Sequence, residues 1–446
     1  MKRIIIALLL LGVTLTSSFA LDTPLLSGGS SIMSNSATNF TYFSGNTLAW
    51  NATELNSRSV VPIAGTLKNL YIRLDAAPTA GKSFAFTVEK NGSDSTITCT
   101  VSDANTSCND TTHTLSLAAG DTISIKSVPS GTPTAPTTMQ IGVVFSATTS
   151  TDAVLLGSTR SANLSNTTTQ YDYLGGAGSP NATLNLRDAP APVSGVIDKL
   201  YVELSGTPGA GTGYTFTVLK NGVSSGITCD VTGTNTTCND TTHTSSIAAD
   251  DLLSIQLSVQ SGTPTARLAR WAVRWVPDTL GEIILLHNDA NSPNTAGAVR
   301  YSQISSGSQG WNSTEPATNS IMPGSYTLKK WHIQLNTDPS PGSYTFKSRK
   351  NTADGNLSVT ISSGSTSGSD GSNSDSLVAT DILDTSSVSA SSPASSISKW
   401  GIVLLDPNAP TPTPTSTPTA TPTNTPTPTP TPVTAARLLP LLGVGQ

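Results

Sequence analysis

One block of this chain recurs. Lys90-Asn91-Gly92 leads through Ile97-Thr98-Cys99 to Cys108-Asn109-Asp110-Thr111-Thr112-His113, and 130 residues later Lys220-Asn221-Gly222 leads through Ile227-Thr228-Cys229 to Cys238-Asn239-Asp240-Thr241-Thr242-His243. Lys350-Asn351 marks a third, more diverged copy. The period is too long for a solenoid unit and matches one small domain. Each copy opens on a leucine pair: Leu25-Leu26, Leu155-Leu156 and Leu285-Leu286. Each closes on an apolar run: Ile141 to Phe145, Trp271 to Trp275 and Trp400 to Leu404. The spacing predicts repeats over 21–147, 148–278 and 279–406. The connections are short and polar, so the repeats are close neighbours.

The strand faces follow from parity, because side chains alternate along a strand. Leu70, Ile72 and Leu74 become Leu200, Val202 and Leu204, then Trp331, Ile333 and Leu335; all point into a core. Phe84, Phe86 and Val88 become Tyr214, Phe216 and Val218, then Tyr344, Phe346 and Ser348. Asn91-Gly92 and Asn221-Gly222 stand where a hairpin needs positive φ. No apolar 3.6-residue period persists for three turns. Abundant Thr, Val and Tyr with Gly and Pro punctuation predict all-β structure. The fold class is three tandem jelly-roll-like β-sandwich domains followed by a disordered Pro/Thr-rich tail. About 120 residues suffice for eight strands around one modest core.

Ala80-Gly81-Lys82-Ser83-Phe84-Ala85-Phe86, Gly211-Thr212-Gly213-Tyr214-Thr215-Phe216 and Pro341-Gly342-Ser343-Tyr344-Thr345-Phe346 resemble the Gly-x-Tyr-x-Phe strand of complement-head and tumour-necrosis-factor-like jelly rolls. That family forms trimers whose subunits have their chain ends close together. The resemblance implies that three tandem copies close into a single-chain pseudo-trimer, with outward Tyr71, Tyr201 and His332 at the shared interface. Solvated aromatics on three separate sandwiches are the alternative.

The first 20 residues read as a secretory signal peptide: Lys2 and Arg3, the apolar run Ile4 to Val13, and the small-residue site Ser18-Phe19-Ala20. The run is too short to span a membrane. Within the stalk segment 407–433, the chain alternates Pro with Thr almost without break from Pro410 to Pro432. Proline fixes φ and lacks a donor, so no helix or sheet core can form there. An extended stalk of about 70 Å is expected, at ~3.1 Å per residue, with threonines suited to O-linked sugar. Such tails resemble the Pro-Thr stalks of bacterial surface proteins, although the last segment, 434–446, has no Leu-Pro-x-Thr-Gly sorting motif. The chain is expected to be extracellular and joined to a cell envelope through this tail. With a formal net charge of −5 and no Lys/Arg stripe, nucleic acid is not an expected partner.

Four cysteines in a secreted chain read as disulfides, Cys99 with Cys108 and Cys229 with Cys238. In the third copy Val359 and Gly368 replace both partners together, as bonded residues would be replaced. Zinc is disfavoured, because adding His113 or His243 gives only three soft ligands per copy. Calcium at Asp110 or Asp240 is the lesser reading, because Asn109 to His113 and its twin read as polar loops after the disulfide whose side chains bond the backbone; Asp370, Asn373 and Asp375 lack EF-hand spacing. No metal and no cofactor is expected.

Trp50-Asn51-Ala52-Thr53-Glu54 recurs as Trp311-Asn312-Ser313-Thr314-Glu315. An exposed indole beside amide and carboxylate groups suits a sugar ring, which makes Trp50, Asn51, Glu54, Trp311, Asn312 and Glu315 the candidate ligand-binding residues. The alternative is a Trp plugging the end of each sandwich. No catalytic residues are assigned, for the chain carries neither His-Glu-x-x-His nor a phosphate loop. The expected function is binding or adhesion, to surface glycans, neighbouring cell-surface proteins or itself, without enzyme activity. A self-assembling coat or appendage subunit and a carbohydrate-active enzyme are the alternatives. The latter would need a carboxylate pair in a cleft.

Overall fold

The structure, a computed structural model, describes residues 20–30, 33–43, 45, 50–293, 295–305 and 310–409. The signal-peptide segment through residue 19 and the Pro/Thr tail from residue 410 lie outside them. Strand is the main regular structure of the described chain, with three one-turn 3-10 segments beside it. The first repeat holds β1 (Asp22–Ser30), β2 (Asn39–Thr41), β3 (Ser59–Val60), β4 (Gly65–Leu74), β5 (Thr79–Lys90), β6 (Ser93–Asp103), β7 (Ser107–Leu117), β8 (Thr122–Ser130) and β9 (Thr138–Ala147). The second holds β10 (Ala153–Ser158), β11 (Gln170–Asp172), β12 (Gly176–Ala177), β13 (Ala189–Pro190), β14 (Gly195–Leu204), β15 (Gly209–Lys220), β16 (Val223–Gly233), β17 (Thr237–Ile247), β18 (Leu252–Ser261) and β19 (Ala269–Pro277). The third holds β20 (Glu282–Asn288), β21 (Arg300–Ser302), β22 (Ser320–Ile321), β23 (Tyr326–Leu335), β24 (Ser343–Lys350), β25 (Ala353–Ser362), β26 (Ser367–Leu377), β27 (Ile382–Ala390) and β28 (Ser398–Leu405).

Each repeat is a jelly roll of two facing sheets, antiparallel except where the short β12 joins β10 in parallel. In the first, the sheets run β1-β9-β4-β7 and β2-β8-β5-β6, with β3 paired to β8. The others repeat this order as β10-β19-β14-β17 with β11-β18-β15-β16, and β20-β28-β23-β26 with β21-β27-β24-β25. Alternation places the core as the sequence implies. Leu70, Ile72, Phe84, Phe86 and Val88 are completely buried, as are Trp271, Trp331 and Trp400 in later copies. The hairpin between β5 and β6 turns through Asn91 (φ 52°) and Gly92 (φ 77°), and its twin through Asn221 and Gly222. The third copy forces Asn351 and the β-branched Thr352 (φ 66°) into the same left-handed conformation.

The disulfides Cys99–Cys108 and Cys229–Cys238 form as expected. Each ties a strand of one sheet to a strand of the other. In the third repeat Val359 occupies the cross-link's space: a Cβ added at Gly368 would sit 2.9 Å from its Cγ1.

The segments after the cysteines differ from expectation. Asn109 to His113 are not a loop but part of β7, and their twins lie in β17. The polar run reflects outward-facing residues and a bulge, where the register against β4 shifts between Lys68 and Leu70. Asp110 organises the bulge, accepting from the amides of Thr98 (3.0 Å), Thr112 (3.1 Å) and His113 (3.1 Å). Burial alone would raise its pKa; those amides and the His113 ring outweigh it and hold the carboxyl well below the ordinary range.

The described residues form one compact unit, because the three sandwiches contact one another in a ring. The closing strand β19 packs on β3 of the first repeat, β28 on β13 of the second, and β9 on β22 of the third. A small residue stands at each crossing: Ala272, Gly401 and Gly142. A Cβ at Gly401 would collide with the Pro190 carbonyl, and one at Gly142 with that of Ile321. Leu25-Leu26, Leu155-Leu156 and Leu285-Leu286 line one central, largely apolar cavity of about 50 Å³. The apolar cores merge there. Leu26 joins the cluster of the second and third repeats, while Val154, Leu156 and Ala272 join that of the first. Where the ring returns to its start, the Asp22 amide donates to Asp406 Oδ2 (3.0 Å) and the Tyr326 hydroxyl to the Asp22 carbonyl (3.0 Å).

Candidate functional site

The Trp-Asn-x-Thr-Glu motifs build turns. Asn51 Oδ1 accepts from the Thr53 amide at 2.8 Å, and Asn312 Oδ1 from the Thr314 amide at 2.8 Å, opening a short 3-10 turn in each case. The Asn181–Thr183 pair does the same in the second repeat without a Trp. Trp50 is half-buried against the first core. Trp311 lies 5.8 Å from both Phe346 and Trp400 by ring centroids, and its Nε1 donates to Ser398 Oγ at 3.0 Å. Glu54 is ion-paired to Arg58 (2.6 Å) and Glu315 to Arg349 (2.9 Å). The two motifs stay in separate repeats, and each is engaged with its own sandwich.

Tyr71, Tyr201 and His332 lie where repeats meet. Tyr201 is half-buried against the first repeat, 3.5 Å from where a Cβ on Gly120 would sit. His332 Nδ1 is 2.9 Å from Asp250 Oδ1 of the second repeat. Tyr71 lines a cavity of about 210 Å³ with Ile321 and Thr380 of the third. Gly120, Asp250 and Thr380 are equivalent positions, so each aromatic meets the same turn of its neighbour.

Sequence reasoning passed over a second set of equivalent positions. The residue before β3, β13 or β22 faces the paired ends of the next repeat's central and closing strands. Between repeats one and two, Arg58 meets Glu203 and Arg270: Arg58 to Glu203 is 3.4 Å, Arg270 to Glu203 2.8 Å, and Arg270 also donates to the Leu55 carbonyl at 2.6 Å. Burial pulls the Arg270 guanidinium down, against the Glu203 carboxylate that supports its charge. Between repeats two and three, Asp188 pairs with Lys399 at 2.8 Å, both buried. Asn288 there donates to the Asp188 carbonyl (2.7 Å), and Tyr173 donates to the Asn288 carbonyl (2.9 Å). Next to Tyr173, burial pushes Asp172 up to about 7, offset in part by Arg187 at 3.8 Å. Between repeats three and one the same positions hold Asn319, Arg73 and Gln140. They border a cavity of about 640 Å³. These residues are far apart in sequence and differ in type, so no periodic signal marks them.

Other chemistry resolves structurally. Gly222-Val223-Ser224-Ser225-Gly226 fits the Gly-x-Ser-x-Gly pattern, a match the sequence reasoning overlooked. It lies on a hairpin turn leading into β16, not on the strand-to-helix elbow that exposes a nucleophile. His287, Asp289 and Ser302 form a buried cluster: Ser302 Oγ is 3.2 Å from His287 Nε2 and donates to Asp289 Oδ1 at 2.8 Å. The Asp289 carboxylate lies 3.1 Å from that same ring nitrogen. Serine and carboxylate thus share one nitrogen instead of flanking the ring, which is not the relay of a nucleophilic triad.

No family model matches the sequence, and no curated protein matches it. Among solved structures, the chain is similar to the infectious bursal disease virus VP2 subviral particle at 8% identity and TM-score 0.17, covering 87% of this chain and 82% of that one. The infectious bursal disease virus Gx strain structure gives 9% identity and TM-score 0.14, covering 86% and 79%. Similarity this low bears on neither fold nor function.

Proposed function

We propose that this is a secreted, surface-associated binding protein without enzyme activity, whose three jelly rolls act as one pseudo-trimeric head for glycans or neighbouring cells. The observation that carries this is the ring closure at Asp22 and Asp406. The chain ends of the head meet at one point, so whatever follows residue 409 leaves from where the first strand enters. A head with one exit, continued by the Pro-Thr segment, suits presentation at the end of a stalk. The disulfides fit an oxidising compartment. The engagement of Trp50 and Trp311 with their own cores moves the favoured contact surface away from those motifs. The test is binding of the mature chain to a glycan array and to whole cells. Saturable binding to either supports the reading. Absence of both, with concentration-dependent self-association, would replace it with a structural coat or appendage subunit.

A further inference from the structure

We infer that the cavity between the third and first repeats is a binding site for a neutral sugar of one or two rings. This deepens the glycan reading above and rests on it. The argument comes from comparing three equivalent places. At the first, Arg58, Glu203 and Arg270 fill the contact with ion pairs; at the second, Asp188 and Lys399 do so. At the third the corresponding Asn319, Arg73 and Gln140 form no ion pair among the described residues, and the space between them is about 640 Å³. That lies within the size range of small-ligand pockets.

The lining has the chemistry of a sugar site. Gln140, Asn319 and Thr138 are 4%, 7% and 8% exposed. Asn319 Oδ1 and Thr138 Oγ1 are buried without a hydrogen-bond partner, a state that carries a desolvation cost which a turn of either side chain toward a ligand in the cavity would relieve. Amide and hydroxyl groups that both donate and accept match vicinal sugar hydroxyls. Pro316 and the edge of Ile382 supply apolar surface for the C–H face of a pyranose. The lining carries one charge of each sign, Arg73 and Asp75, and the Asp75 carboxylate accepts from the Thr137 amide at 2.9 Å, so the site has no net charge to draw an ionic ligand.

The test transplants the second contact into the third. Gln140→Lys/Asn319→Asp recreates the Asp188–Lys399 pair inside the cavity. Calorimetry and ligand-observed NMR on the mature chain would use glucose, galactose, mannose, N-acetylglucosamine and their disaccharides, with glucuronate as the charged comparison. The expected result is binding of at least one neutral sugar, weakened about tenfold or more by the transplant, with Tm not lowered. Thr138→Val, nearly isosteric, gives a smaller loss and serves if the double variant folds poorly. Sugar binding unchanged in both variants overturns this site and leaves the glycan reading standing. Tighter binding of glucuronate than of any neutral sugar also overturns it. No soluble sugar bound, with cell or array binding intact, defeats this inference alone; no binding in any assay defeats both.

Discussion

The contact between repeats two and three and the contact between repeats three and one use the same backbone geometry with opposite chemistry. The former has a peptide link, a buried ion pair and Tyr173 reaching across to Asn288. The latter closes without a link, on Gly142 against Ile321 and on hydrogen bonds at Asp22, and it borders an open cavity of mixed polar and apolar lining. Backbone complementarity alone therefore suffices to seat one jelly roll on the next, through a small residue on the closing strand. The side chains just beyond that crossing are free to diverge. Three repeats in one chain can specialise their contacts separately, which identical subunits of a trimer cannot do.

The sharpest way to break this comparison is Lys399→Ala. It strands a buried Asp188 carboxylate and should cost about 3–5 kcal/mol in chemical denaturation. Gln140→Ala at the equivalent place should cost less than about 1 kcal/mol, since no ion pair is broken there. Equal losses would mean that the two contacts do not differ energetically. Next in size is the cross-link. Replacing Cys99 and Cys108 by Ala should remove about 2.7 kcal/mol from loop entropy, measured as the denaturation midpoint with and without reductant. A reductant effect that persists in a variant lacking all four cysteines would refute that origin.

The second contact should also be pH-sensitive. Asp172 is held neutral by burial, with a folded pKa of about 7 against an unfolded value near 3.8. A raised carboxyl contributes stability that is complete below the unfolded value and is lost as pH rises through the folded one. Stability should therefore fall between about pH 4 and pH 7, and Asp172→Asn should flatten that slope; an unchanged slope assigns the dependence to other groups. The smallest effect lies at the third hairpin. Thr352→Gly relieves a left-handed β-branched residue and should raise stability by about 1 kcal/mol, whereas Gly92→Thr in the first hairpin should lower it similarly.

The parts of this molecule legible in the sequence are those set by local period and by paired loss. Leu70-Ile72-Leu74 declared its face because alternation is a backbone property, and Cys99 and Cys108 declared their bond because both vanish from copy three. The polar stretch Asn109 to His113 reads as a loop from sequence alone, since a bulged strand with outward side chains has the composition of a turn. Trp50 and Trp311 illustrate a different failure. A residue type that suits both a sugar and a core cannot be assigned without its neighbours, here Phe346, Trp400 and Ser398. Arg58, Glu203 and Arg270 were invisible because their meeting depends on how whole domains dock, and docking leaves no periodic trace in a single sequence.

The hydrogen bond from the Asp22 amide to Asp406 has a consequence for how the chain is ordered along its gene. Because the head's two ends abut, its starting point is a matter of history and not of architecture. A circularly permuted version, opened in the linker before Ala153 and rejoined by a short bridge from Asp406 to Asp22, should reach the same fold. Its uncovered junction would then fall at the ion-paired contact of Arg58 with Glu203, and the cavity contact would become the covalently tethered one.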